Sequence, residues 1–126
     1  MNREIKFRGI DLVTGKWCYG CYMPPFYEGK DPFIYIKEDR GDHWSYLSAQ
    51  VIQDTVGQYT GLKDKNGIEI YEGDVLEDKK GCVYGVVEWK TRGFNLGTRY
   101  MDCYDNIVCE VIGNIYDNPE LIGGVR

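Results

Sequence analysis

Two cysteines with the spacing of a metal site are the residues whose chemistry stands out first. Cys18 and Cys21 are separated by two residues, which is the spacing of zinc knuckles and of redox-active dithiols. A zinc site needs further ligands, and His43 is the sole histidine in the chain. The remaining cysteines form no second pair with this spacing: Cys82, Cys103 and Cys109. The sequence therefore predicts no metal site, with a cysteine-rich metal centre as the remaining alternative.

The residues around Cys18 and Cys21 also argue against redox chemistry. Side chains alternate along a strand, so positions 18 and 21 point to opposite faces of a sheet. A reactive thiol in such a motif is activated by the N-terminus of a following helix, whereas here the chain runs into Pro24 and Pro25. Five cysteines are an odd number and no secretory signal is recognisable, so a disulfide framework is not expected. Packing is the predicted role of both cysteines.

Two segments rich in glycine and acidic residues resemble ligand loops but fail on spacing. In 57–63, three residues separate the glycines where a phosphate loop has four, and Leu62 separates the second glycine from Lys63. In 64–74, a calcium loop would need its glycine at the sixth position, but Gly67 is at the fourth. Turn formation accounts for both segments. No nucleotide and no calcium ion is therefore predicted as a cofactor.

A set of catalytic residues is not recognisable in the sequence. His43 has no serine or cysteine at a nucleophile elbow, and a histidine beside a charged loop usually lies on the surface. Twenty acidic residues include many possible carboxylate pairs, but nothing in the sequence selects two of them. The chain is therefore predicted not to be an enzyme and to need no cofactor.

The charge distribution argues against binding to duplex nucleic acid. The net charge is −5, and residues 64–126 carry seven Lys or Arg against twelve Asp or Glu, whereas residues 1–63 carry eight of each. Proteins that bind duplex phosphates usually carry a basic stripe. The nearest equivalent here is Arg3, Lys6 and Arg8, for which a solvated face of the first strand is predicted.

Length and hydrophobicity predict a soluble globular protein. A chain of 126 residues fits one domain, 1–126, with a possible subdivision into an N-terminal β extension, 1–55, and a barrel, 56–122. Hydrophobic residues make up 43% of the chain, but no apolar run approaches the length that spans a membrane. The expected location is the cytoplasm.

Sixteen glycines against a single alanine favour strands and turns over helices. In the first half, Ile5 and Phe7 are predicted to point inward from the first strand, which forms a hairpin with the second. The third strand has apolar residues on both faces, so it should be central or covered. No secondary structure is predicted for 44–56. The three strands are 5–10, 16–23 and 32–37.

Two chain reversals follow each other in the middle of the sequence. Asn66 and Gly67 are predicted to supply the positive φ angles of a tight turn, and 71–74 bends the chain again before a strand at 75–77. The later strands are 82–89, 94–100 and 107–115.

The second half predicts a small barrel. A bulge is predicted at Gly85. Asn118 and Pro119 predict a helical turn that packs Leu121 on the sheet. Five or six short strands without a crossover helix close most easily into a barrel, which removes exposed edges.

Several blocks of the chain share one family pattern. They are 3–9, 15–17 with 19–20, 56–67 with 69–74, and 111–121. Together they resemble the YopX family of small proteins found in phages and prophages of low-GC Gram-positive bacteria. Cys18 and Cys21 are not part of that pattern. The resemblance implies a mainly antiparallel all-β protein with an SH3-like small β-barrel in the C-terminal half, an N-terminal β-hairpin extension, little helix and a phage origin; it implies no activity.

Two classes of function follow from these observations. The first is a non-enzymatic phage accessory protein, a β-barrel binding module that acts through an unknown protein partner or a homo-oligomer, as its many aromatic residues favour. The alternative is binding of single-stranded nucleic acid through loops and exposed aromatic side chains; a concealed enzyme ranks third. The candidate interaction residues lie in an exposed loop region: Tyr59, Lys63, Lys65 and Tyr71.

Overall fold

The protein is an antiparallel all-β chain with almost no helix, as predicted. The computed structural model describes residues 5–39, 41–77, 83–90, 93–96, 99–100 and 109–122. Within these residues the sole helical segments are two 3₁₀ turns, Gln53–Thr55 and Pro119–Ile122. None of the described helices is long and apolar enough to cross a membrane. By its internal contacts the chain divides into two compact units, Met1–Gln58 and Tyr59–Arg126.

The first unit is built on a four-stranded antiparallel sheet in the order β4-β3-β2-β1. Beside β1, Gly57 and Gln58 at the start of β5 pair with Arg8 and Phe7. The predicted first hairpin is confirmed as β1 and β2, and the third predicted strand, β3, is central as expected, because β2 and β4 pair with its two edges. The strands are β1, Phe7–Ile10; β2, Trp17–Met23; β3, Phe33–Asp39; and β4, Trp44–Gln50.

The core of the first unit lies on one face of this sheet. Ile34 and Val51 are fully buried there. Gly9 faces Val51 so closely that a Cβ on Gly9 would lie 2.9 Å from Val51 Cγ2. The Thr55 hydroxyl accepts a hydrogen bond from the Ile10 N–H (2.9 Å) and donates one to the Ile52 carbonyl (2.7 Å), which fixes the 3₁₀ turn against β1.

The second unit contains β6 to β11 and most of β5. Five of its strands form a sheet in the order β10-β9-β8-β7-β11, and β5 pairs with β6. Ile70, Leu76, Val87 and Cys109 form a fully buried cluster, and Leu62 and Val111 pack against it. The strands are β5, Gly57–Lys63; β6, Glu69–Tyr71; β7, Asp74–Glu77; β8, Val83–Lys90; β9, Gly93–Leu96; β10, Arg99–Tyr100; and β11, Glu110–Asn114.

Two local predictions for the second unit are confirmed. The pairing of β7 with β8 shifts by one residue next to Gly85, whose φ of 140° marks the predicted bulge. A helical turn begins at Pro119, and Leu121 lies against β11, since a Cβ on Gly113 would be 2.9 Å from Leu121 Cδ1.

Three predictions about β structure are wrong. Segment 94–100 is not one strand, because Leu96 pairs with Arg99 and the two strands β9 and β10 form a hairpin. The described part of 56–116 therefore contains seven strands instead of five or six. At the first reversal Gly67 alone has a positive φ (81°), since no described non-glycine residue has one. The Asp64 carboxylate holds that turn instead. The first residue of the strand predicted at 82–89 and the first two residues of the strand predicted at 107–115 lie outside the described residues.

The predicted exposure of Ile5 and Arg8 is also wrong, whereas Phe7 is half-buried with its ring centroid 5.4 Å from that of Tyr22. Ile5 is 71% exposed, whereas Arg8 is only 5% exposed. The Arg8 guanidinium carbon lies 4.5 Å from the centre of the Trp17 ring on the neighbouring strand, and this cation–π contact explains how a charged side chain is accommodated there. Arg8 is therefore a packed residue of the sheet and not part of a solvated basic face. Arg3 lies outside the described residues.

Candidate functional site

Two of the four candidate interaction residues are buried, so the expectation of an exposed loop is wrong for them. Tyr59 and Tyr71 are 5% and 2% exposed. They are directly opposite each other on β5 and β6, with ring centroids 5.4 Å apart. The Tyr71 hydroxyl donates to Glu69 Oε1 at 3.0 Å. This cross-strand pair stabilises the hairpin and offers no surface to a partner.

The two lysines of the same segment are exposed, as predicted. Lys63 ends β5 and Lys65 lies in the following turn. Lys65 Nζ is 3.5 Å from Glu110 Oε2, and the two side chains are 39% and 40% exposed. An ion pair this exposed contributes little to stability, about 0–1 kcal/mol. Whether either lysine contacts a partner stays a prediction.

The residue that organises this segment is Asp64, whose place in a turn was predicted but whose bond to β11 was not. Its side chain is buried, and Oδ1 accepts hydrogen bonds from the N–H groups of Asn66 (2.8 Å) and Ile68 (2.9 Å). Oδ2 accepts from the Val111 N–H at 2.9 Å. One carboxylate thus shapes the turn and ties it to β11, 47 residues further along the chain. The first two bonds are typical of an Asx turn, but the third depends on tertiary structure.

The paired cysteines lie on opposite faces of one strand. β2 runs without interruption through Cys18 and Cys21, and an odd separation directs two side chains to opposite faces. Cys21 is exposed, whereas Cys18 is half-buried with its Sγ 3.9 Å from Asp11 Oδ2. Burial, followed by the negative charge and hydrogen bond of Asp11, raises the pKa of the Cys18 thiol. Cys21 is thus the more accessible thiol of the pair, and the two cannot bind one metal ion together.

The other candidates for chemistry are isolated in the described part of the chain. His43 Nδ1 lies 2.6 Å from Asp42 Oδ1, and both side chains are exposed at the turn before β4. No cluster of three or more His, Cys, Asp or Glu side chains with a metal-binding arrangement occurs among the described residues. Asp11 accepts hydrogen bonds from the N–H groups of Thr14 (3.1 Å) and Val13 (2.7 Å), which lower the pKa of its carboxyl group. These contacts shape turns.

The first unit carries a cleft on the sheet face opposite its core. The cleft has a volume of about 280 Å³. Tyr19 and Tyr46 are 46% and 52% exposed at its walls, and Tyr35 lies between β2 and β4 with its ring centroid 6.5 Å from that of Tyr46. We call this feature the tyrosine cleft; its lining residues are Ile5, Lys6, Tyr19, Gly20, Cys21, Tyr35, Ile36, Lys37 and Tyr46.

The four-stranded sheet ends at β4. β3 pairs with β4 along all seven residues, from Asp39 opposite Trp44 to Phe33 opposite Gln50, and no other strand of the described chain pairs with β4. The last residues of this edge are covered, since the Leu12 N–H donates to the Gln50 carbonyl at 2.8 Å. The edge before Gln50 is of the kind to which an additional strand pairs.

Comparisons with known proteins match almost the whole chain. Residues 6–123 match the family described as YopX protein. The chain belongs to the YopX family. Among solved structures, this YopX-family chain is similar to the crystal structure of protein EF1440 from Enterococcus faecalis, with a TM-score of 0.63 and 23% sequence identity over 96% of this chain and 99% of that chain. At this identity the likeness concerns the fold. No curated protein matches the chain.

The YopX-family match includes every described strand, because β1 begins at Phe7 and β11 ends at Asn114. It also includes the buried Asp64 turn, the edge strand β4 and all of the tyrosine cleft except Ile5. These features therefore belong to the part of the chain that the family covers.

Proposed function

We propose that this YopX-family protein is a non-enzymatic accessory protein of phage or prophage origin that acts in the host cytoplasm as a binding module. Its edge strand β4 pairs with the same strand of a second copy of the chain. The composition of β4 carries this proposal. Trp44–Gln50 contains no charged residue and no proline, although charged residues make up 28% of the whole chain. Exposed edge strands normally carry a lysine, a proline or a bulge that prevents pairing with another chain.

The absence of charge on β4 favours a second copy as the partner. In an antiparallel pair of identical strands related by a two-fold axis, each strand faces itself, so a charged residue near the axis would face the same charge. β4 avoids that repulsion along its full length. Leu47, which is about half exposed on the face opposite Tyr46, would lose contact with water in such a pair. Both the backbone and the side chains of β4 therefore suit self-association.

The direction of the Ser48 backbone follows from the β3–β4 register. The Val51 N–H donates to the Pro32 carbonyl at 2.9 Å, so Val51 and Pro32 form a hydrogen-bonded pair. Such pairs alternate along an antiparallel ladder. Ala49 and Leu47 therefore direct their backbone groups toward β3, and Ser48 directs its N–H and C=O away from it. Ser48 is therefore a position at which the outer edge can be changed without removing a bond to β3.

A proline at Ser48 tests the proposal. Ser48→Pro removes one outward donor, and proline is tolerated on edge strands where the lost N–H faces solvent. Ser48→Thr is the matched control, because it keeps the donor and has a β-branched side chain. In sedimentation velocity over about 10–500 µM protein, we expect the wild type and Ser48→Thr to dimerise and Ser48→Pro to stay monomeric, with unchanged circular dichroism.

A second variant covers the case in which proline disturbs the fold. Ser48→Lys keeps the backbone donor but places like charges on the two facing strands, so it should weaken the dimer, and added salt should restore it. A wild-type protein that is monomeric throughout this concentration range would refute the proposal. A dimer that neither Pro nor Lys at position 48 weakens would also refute it, because the interface would then lie elsewhere.

We also propose that the second unit is an SH3-like barrel. Its strand order supports this, since four strands follow one another as neighbours, β7 to β10, and the last strand, β11, returns to lie beside the first. A five-stranded meander whose last strand pairs with its first is the arrangement from which small barrels close.

Nucleic-acid binding, the alternative function, needs a different surface, because β4 has no cationic side chain to bind a phosphate.

A further inference from the structure

We propose that the tyrosine cleft binds single-stranded nucleic acid, with bases stacked on its tyrosine rings and phosphates held by Lys6 and Lys37. This goes beyond self-association through β4, which uses the backbone edge of the sheet and not its face. The proposal rests on three observations: the rings share one sheet face, the lining is cationic, and the cleft is open to solvent at two of its three tyrosines.

The strand register brings the rings to one face. Cys21 is opposite Tyr35, and Lys37 is opposite Tyr46, and directly opposed residues on antiparallel strands point to the same side. Tyr19 is two residues from Cys21 on β2, so it points to that side too. The rings of Tyr35 and Tyr46 are 6.5 Å apart with an interplanar angle of 40°. This separation suits one base on each ring, as on other β-sheet surfaces that bind unpaired bases.

The charge of the cleft is opposite to that of the whole chain. The chain carries a net charge of −5, but the cleft lining has two lysines and no aspartate or glutamate. Lys37 is opposite Tyr46 in the register, and Lys6 precedes β1, which lies on the side of β2 away from β3. Cations beside the rings match a chain that alternates phosphates with bases.

Other ligands fit this lining less well. A carbohydrate platform needs carboxylate or amide groups to bind the sugar hydroxyls, and the lining contains no Asp, Glu, Asn or Gln. Duplex DNA keeps the faces of its bases stacked on one another, so the tyrosines would have nothing to stack on. An acidic peptide would form ion pairs with the lysines but would stack little on the tyrosine rings. The experiment therefore has to distinguish binding of nucleic acid from binding of an acidic peptide.

Fluorescence anisotropy with labelled oligomers of deoxythymidine and of uridine, each about 12 nucleotides long, tests binding directly. Binding of either oligomer supports the proposal, and the ratio of the two affinities shows whether the cleft prefers DNA or RNA. With two phosphates neutralised, affinity should fall about 7-fold between about 50 and 200 mM salt, which corresponds to a slope of about −1.4. No binding of either oligomer at about 50 mM salt would overturn it.

Substitutions in the cleft separate stacking from charge. Tyr19→Leu should weaken binding about 5-fold or more, whereas Tyr19→Phe should keep it. Tyr27→Leu is the matched control, since Tyr27 is exposed but does not line the cleft. Lys6→Gln and Lys37→Gln should each reduce the salt slope by about 0.7, while Lys16→Gln, an exposed lysine outside the cleft, should leave it unchanged. Equal affinity for polyglutamate, with no effect of Tyr19→Leu, would overturn base stacking.

Cys21 gives a readout that needs no substitution. Its exposed thiol lies in the cleft, opposite Tyr35. We expect the bound oligomer to slow alkylation of Cys21 by N-ethylmaleimide at least 5-fold, measured by mass spectrometry of the Cys21 peptide, whereas polyglutamate at the same charge concentration should slow it less. Cys18 lies on the opposite face of β2 and serves as the internal reference. An oligomer that binds without protecting Cys21 would show that the nucleic-acid site lies elsewhere.

Discussion

Removal of the Asp64 carboxylate should destabilise the second unit. Its three acceptor contacts measure 2.8, 2.9 and 2.9 Å. A hydrogen bond to a charged group contributes about 1.5–3 kcal/mol. Asn66 and Ile68 are exposed, so their N–H groups regain water after the change, but the Val111 N–H is part of β11 and half-buried. We therefore expect Asp64→Ala to reduce the free energy of unfolding by about 3 kcal/mol.

Asp64→Asn refines the same prediction. An amide keeps one acceptor oxygen for the turn but presents its NH₂ group to the Val111 N–H, so two donors face each other. We expect a loss of about 2 kcal/mol, smaller than for alanine. Asp54→Ala, at an exposed position in the first 3₁₀ turn, is the matched control and should change the stability by less than about 0.5 kcal/mol.

Urea unfolding followed by circular dichroism measures these differences, and hydrogen exchange locates them. In Asp64→Ala the amides of Asn66, Ile68 and Val111 should lose protection relative to the other amides of β11. The account of this segment would be refuted if Asp64→Ala were as stable as Asp54→Ala and the Val111 amide kept its protection, because the carboxylate would then hold neither the turn nor the strand.

Three further predictions concern single contacts. Gly20→Ala should destabilise the first unit by more than about 2 kcal/mol in urea unfolding, because its new Cβ would overlap the Tyr35 carbonyl oxygen; a stable variant would show that β2 and β3 separate easily. Lys65→Gln and Glu110→Gln should each change the unfolding free energy by less than about 1 kcal/mol, since the pair is exposed, and a larger loss would contradict that assessment. Since the pKa of Cys18 is raised above its ordinary value of 9.0, its alkylation should increase with pH in a higher range than that of a model thiol, and Asp11→Asn should move the profile to lower pH; unchanged profiles would refute the role of Asp11.

The sequence was sufficient for the elements that depend on local chemistry. The hairpin of β1 and β2, the central β3, the bulge at Gly85 and the turn at Pro119 are all set by residues close in the chain, such as the alternation of apolar and polar residues and the special backbone freedom of glycine and proline. Those local signals predicted the all-β class as well.

The predictions failed where a contact with a residue of another strand determines the structure. Arg8 is buried because Trp17 covers it from the neighbouring strand, and Asp64 ties its turn to β11 through the Val111 N–H. Tyr59 and Tyr71 were taken for surface residues because their segment is rich in turns, yet they pack on each other across two strands. The alternation of apolar and polar residues in 94–100 predicted one strand and not the β9–β10 hairpin, since Gly97 was the sole turn signal in this segment.

The tyrosine cleft could not be predicted from the sequence for the same reason. Lys6, Tyr19, Tyr35 and Tyr46 come from four separate segments, and the register of three strand pairs brings them together. Each residue alone is an ordinary strand or surface residue. Segment 44–56, for which no structure was predicted, supplies both the edge strand and one wall of this cleft.

Concentration-dependent hydrogen exchange at Ser48 tests the central claim, self-association through β4, most directly. The Ser48 N–H faces away from β3, so in a single copy it should exchange rapidly, whereas in a β4–β4 pair it donates to the second copy. We predict that exchange of the Ser48 amide slows at least 10-fold as the protein concentration rises from about 10 to 500 µM, while the inward-facing Leu47 amide changes less. Rapid exchange at Ser48 throughout this range would contradict the account.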